Sequence, residues 1–171
     1  MPRSENEVDT SIPFTATEQL FRRVLPSEEL ADGEIDPTRF NSVSFKKDAD
    51  GAPSVLRGQF SSPEDALHRD CANGKDVSNQ FVYSIYVGEL PTEIRSDDGN
   101  LFSVFPQHRP EPTCGAHSVI SSCRHDDESR IYAIPSKSAR NDLRTKLAAR
   151  MRKVRFTQAY ANDAVAGTSN S

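Results

Sequence analysis

No run of eighteen apolar residues occurs in the 171-residue chain, so no segment of it can cross a bilayer as a helix. Residues 1–7 lack the apolar core and cleavage site of a secretory signal, which predicts a soluble cytoplasmic protein with no membrane contact. Cysteine is scarce and odd in number, three in all; the thiols are therefore expected to be free, as in a reducing compartment, rather than paired in disulfides. Absent too are a Gly-x-Ser-x-Gly elbow, a phosphate-binding glycine loop and a dinucleotide fingerprint. Most common nucleotide enzymes lose their sequence support with them. No internal repeat or low-complexity tract appears.

Apolar residues make up only 35% of the chain and charged residues 27%, so part of the length is expected outside the core. Polar residues 1–13 and the small, polar C-terminus predict disordered tails at 1–13 and 161–171, around a single domain at 14–160. The net charge of -4 conceals a division. Residues 137–155 hold eight basic side chains against the single acid Asp142, which suits either an acidic partner or docking on the protein's own acidic surface.

Residues 19–25 read as a strand, and Pro26 to Leu30 as one helical turn closed near Gly33. Strand-like residues 43–45 and 54–58 flank a turn at 48–51 and predict a hairpin. Ser62 as cap, Pro63 at the first position, Glu64 and Asp65 at the positive end and Gly74 at the exit predict a helix over about 63–72. Alternation predicts a central strand at 80–87, and further strands are expected at 101–105, 117–121 and 130–134. A second helix is predicted over 137–155, with Leu143, Leu147, Met151 and Val154 as its apolar stripe. The expected fold is α+β: an antiparallel or mixed sheet with two main helices packed on it.

All seven cysteines and histidines fall in two groups, one at His68 and Cys71 and one spanning His108 to His125. His68-x-x-Cys71 and Cys114-x-x-His117 have the gap that lets a turn aim two side chains at one ion. Those four residues are the candidate tetrahedral zinc ligands, and zinc is the one cofactor the sequence suggests. Cys114, Cys123, His117 and His125 also offer the residue types of a thiol nucleophile and its base. The basic helix is the candidate contact for nucleic acid or another acidic partner, through Arg140, Arg144, Arg150 and Lys153; a solvated helix face is the simpler reading.

Two resemblances add to this. Arg22 on a first strand, followed by Ser42-Val43-Ser44, resembles the ADP-ribosyltransferase layout, which implies a dinucleotide held by Arg22 with Ser42 and Ser44 supporting the site. That family also places a catalytic glutamate on a later strand, and neither 118–120 nor 131–134 supplies one. Leu20-Phe21-Arg22, Pro26, Gly33, Phe40, Lys47-Asp48, Ser54-Val55, Pro63 to Ala66 and His117 together resemble a group of short prokaryotic proteins of unknown function, over roughly residues 20–120. The resemblance implies one domain and no particular activity. The first expectation is a small accessory protein that acts by binding another protein, without catalysis of its own. The alternatives are a zinc- or nucleic-acid-binding domain and a divergent ADP-ribosyltransferase-like enzyme.

Overall fold

Seven strands, one α-helix and three short 3-10 segments make up the regular structure of the residues that the computed structural model describes, 13–40 and 53–155. The strands are β1 (Gln19–Val24), β2 (Ser54–Arg57), β3 (Phe81–Tyr86), β4 (Ile94–Arg95), β5 (Leu101–His108), β6 (His117–Arg124) and β7 (Arg152–Lys153); α1 is Lys137–Arg150. They form a single sheet in the order β4-β5-β6-β2-β1-β3-β7, and every neighbouring pair is antiparallel.

The expectation of two helices packed on a sheet is therefore corrected, among the described residues, to one α-helix on a predominantly β fold. Residues 63–72 do not form an α-helix: Pro63–Leu67 is a short 3-10 segment that ends at an extended His68. A turn follows and closes at Asn73 and Gly74, both with positive φ. The capping signals were real, with the Ser62 amide donating to Asp65, but the apolar stripe a helix needs is missing. Ala66 and Ala72 are buried, whereas His68, Arg69 and Asp70 are polar and mostly in solvent.

The C-terminal helix is shorter than expected. Ser136 caps it by accepting from the Ala139 amide at 3.2 Å, and it stops at Met151 so that Arg152 and Lys153 can pair with β3. Leu143, Leu147 and Met151 enter the main core as the stripe predicts, but Val154 packs on the other face of the sheet. Residues 130–134 are no strand either; the Tyr132 amide donates to the Ser122 carbonyl, and Pro135 prevents continuation. Both predicted tails and the first arm of the predicted hairpin lie wholly or mainly outside the described residues, and β2 is its second arm.

Strand alternation divides the core in two. Leu20, Val55, Tyr83, Ile85, Phe102, Val104 and Ile120 face α1, while Phe21, Leu56 and Val82 face the opposite way, covered by Ala66, Cys114 and Ala116. Among the described residues the second face is roofed by the 3-10 segment Pro63–Leu67 and by turns, not by an α-helix, and it holds the site described next.

Candidate anion-binding cleft

The ladder between β1 and β2 closes tightly at one end and opens at the other. At the closed end Gly58 donates its amide to the Gln19 carbonyl at 2.8 Å, and a Cβ on residue 58 would lie 2.5 Å from that oxygen, so only glycine fits. Pairing runs through Leu20 with Arg57 and Phe21 with Leu56, and stops there. Beyond it Arg22 Nη1 donates to the Ser54 carbonyl at 2.8 Å, so a side chain takes an acceptor that a continuing ladder would have used. The result is a cleft of about 50 Å³ lined by Phe21, Arg22, Arg23, Ser54, Ala66, Cys71 and His117. That is room for a group of a few heavy atoms.

Two arginines border this opening and differ in what they bond. Arg22 is buried, spans the gap to Ser54 and lies 5.3 Å from the Phe40 ring centroid. Arg23, its neighbour on the opposite face of β1, has Nη1 buried with no hydrogen-bond partner among the described residues. Burial holds its pKa below the ordinary arginine value. A guanidinium N–H taken from water without a compensating acceptor is costly.

His117 stands on the same face. The β2–β6 register sets it opposite Leu56, two residues from Ser54, which makes His117 and Ser54 diagonal neighbours across the strands. Its Nδ1 lies 2.7 Å from the Arg109 carbonyl oxygen, which can only accept, so Nδ1 carries the proton. Nε2 is 3.3 Å from Ser54 Oγ and 3.7 Å from Glu111 Oε1. A neutral imidazole in this tautomer offers its free lone pair to the serine hydroxyl.

The four candidate zinc ligands are partly gathered here, in a different arrangement. Cys71 and Cys114 are joined by a disulfide spanning 43 residues, which corrects the expectation of free thiols. Bonded sulfurs are not thiolates, and no group of three or more potential metal ligands stands together among the described residues. The disulfide ties the turn after Leu67 to the loop between β5 and β6. His117 lines the cleft on one side of it, and His68 lines a wider hollow of about 350 Å³ on the other. His68 is mostly exposed and accepts from the Asp70 amide at 3.3 Å. Cys123 is buried; burial first, and Glu128 second, push its thiol pKa up, which disfavours a nucleophilic thiolate. His125 is tied to Ser103 Oγ and the Thr92 carbonyl.

The basic segment is engaged with the protein's own acceptors. Arg140 donates to the carbonyls of Ile134 and Pro135, Lys146 pairs with Asp142, and Arg150 donates to the Glu89 carbonyl. Arg152 forms a bidentate pair with Glu89, and Lys153 meets Glu29 at 2.8 Å. Arg144 is half-buried beside Arg140, and its pKa is lowered by burial and then by that neighbouring charge. Of the dinucleotide candidates, Arg22 borders the cleft, whereas Ser42 and Ser44 lie outside the described residues. Sequence reasoning missed Arg23 and Ser54. Their only signal was alternation, which places Arg23 on the face of Phe21, and that becomes informative only once the register is known.

Among the described residues no helix is long and apolar enough to cross a membrane. The cytoplasmic expectation rested in part on free thiols, and the Cys71–Cys114 bond withdraws that part. Compared with family models, with curated proteins and with solved structures, the chain matches none.

Proposed function

We propose that this is a small binding protein whose ligand carries a compact anion of the phosphate type, held in the cleft between β1 and β2. The reading is supported by Arg23, which lines the cleft and whose buried Nη1 has no hydrogen-bond partner among the described residues. Arginine matches tetrahedral oxyanions through its planar fork of donors. The reading keeps the expectation of a protein that acts by binding and gives it a defined surface. It does not use the C-terminal basic segment, where Arg140, Lys146, Arg150, Arg152 and Lys153 are bonded within the fold.

Titration calorimetry with inorganic phosphate tests this on the full chain. A small ion in a single site is expected to bind with a Kd on the order of 1 mM, and Arg23→Met is expected to weaken it at least tenfold, about 1.4 kcal/mol. Absence of phosphate binding by the unaltered protein, or equal binding by the variant, overturns the reading.

A further inference from the structure

We propose that Ser54 and His117 act as nucleophile and general base on the phosphate group held in the cleft, so that the protein hydrolyses a phosphate monoester through a phosphoserine at Ser54. This rests on the reading of the cleft as a phosphate site. Three features converge on it. The first is the relay of hydrogen bonds. Nδ1–H of His117 is fixed on the Arg109 carbonyl at 2.7 Å, which turns Nε2 toward Ser54 Oγ at 3.3 Å. A nucleophile within reach of a base that is itself held by a third group is the arrangement nucleophilic catalysis needs, and such contacts are often loose before substrate binds.

The second feature is charge. Arg23 lines the same cleft and its buried Nη1 has no partner among the described residues, so its guanidinium would turn toward oxygens that gain charge as the phosphoryl group transfers. Cationic donors of this kind suit a phosphoryl group better than the single oxyanion of an acyl ester. The third is Glu111, whose carboxylate lies 3.7 Å from His117 Nε2 and favours the imidazolium once the proton has been taken.

The chemistry balances without a further reactant beyond water. Ser54 Oγ forms a bond to phosphorus as its proton passes to His117 Nε2, and the bond from phosphorus to the alcohol oxygen breaks. The leaving oxygen takes the proton from the imidazolium. Water then attacks the phosphoserine with His117 again as base, the bond from phosphorus to Ser54 Oγ breaks, and that oxygen recovers its proton. The net products are the alcohol and inorganic phosphate.

The test uses the full chain with 4-nitrophenyl phosphate, following nitrophenolate release and the intact mass after acid quench, beside phosphate calorimetry on the same samples. Turnover that is lost in Ser54→Ala and reduced about 10²–10⁴-fold in His117→Gln is expected. Phosphate binding by Ser54→Ala shows that the variant is folded. A phosphoryl adduct located on Ser54 supports the proposal directly. If the unaltered protein binds phosphate yet releases no more nitrophenolate than Ser54→Ala and carries no adduct, the proposal is overturned and the binding reading stands. If phosphate does not bind, both are overturned.

Discussion

The two ends of the β1–β2 ladder each carry an arginine with buried guanidinium nitrogen, and they treat it in opposite ways. At the closed end Arg57 is completely enclosed: Nε and Nη2 meet Glu18 at 2.8 and 3.1 Å, Nη2 also meets the Pro13 carbonyl and Gln59, and the guanidinium lies over the Phe14 ring at 3.8 Å. At the open end Arg23 Nη1 is buried with no such partner among the described residues. The same strand pair thus shows what a finished burial of guanidinium requires and where one is left unfinished. The fold accounts for the first arginine, and the proposed anion would supply the second with the acceptor it lacks among the described residues.

The largest effect is expected from making the closed end resemble the open one. Glu18→Gln leaves Arg57 enclosed without its carboxylate and should lower unfolding free energy by about 3–5 kcal/mol, read by urea denaturation. A loss under about 1 kcal/mol would show that the aromatic and carbonyl contacts suffice. Next comes the double variant Cys71→Ser with Cys114→Ser, which frees the turn roofing the cleft from the β5–β6 loop. Loss of that cross-link should cost about 2–4 kcal/mol, and reduction of the unaltered protein should reproduce it.

A smaller effect is expected at Glu29, which completes a third cation. Its carboxyl is opposed by burial, but hydrogen bonds from Lys153 and from Tyr83, at 2.8 and 2.6 Å, outweigh that and hold its pKa below the usual carboxylate value. The folded pKa is depressed, so the stabilisation is present above the ordinary carboxylate range and is lost as pH falls through the folded value. Glu29→Gln should flatten that acid limb in a stability–pH profile, and an unchanged limb would remove Glu29 from the account. The smallest effect on stability belongs to Arg23→Met. Removing an uncompensated cation should be neutral or stabilising, by up to about 1 kcal/mol, although it removes anion binding. A clear destabilisation would mean that Arg23 has a structural role.

Much of the sheet was legible because alternation is a local signal. Phe81, Tyr83 and Ile85 could be assigned to one side of a strand from spacing alone. Helix 63–72 failed for a different reason: caps mark where a helix can start, whereas its persistence depends on an apolar stripe that His68, Arg69 and Asp70 do not supply. The rarity of cysteine and histidine drew attention to Cys71, Cys114 and His117, and these do border one region. Rarity could not say that two of them bond each other while the third turns toward Ser54, since that depends on pairing residues 43 and 63 positions apart. Arg23 was invisible for the same reason: nothing in one strand tells which buried cation will lack an acceptor once its neighbours are in place.

The most direct measurement is the thermal unfolding midpoint of the unaltered protein and of Arg23→Met in phosphate and in chloride at equal ionic strength. Mass action predicts that phosphate raises the midpoint of the unaltered protein and leaves that of the variant where chloride sets it. Equal midpoints in the two salts for the unaltered protein, or the same phosphate shift in both proteins, would contradict the assignment of Arg23 to an anion site.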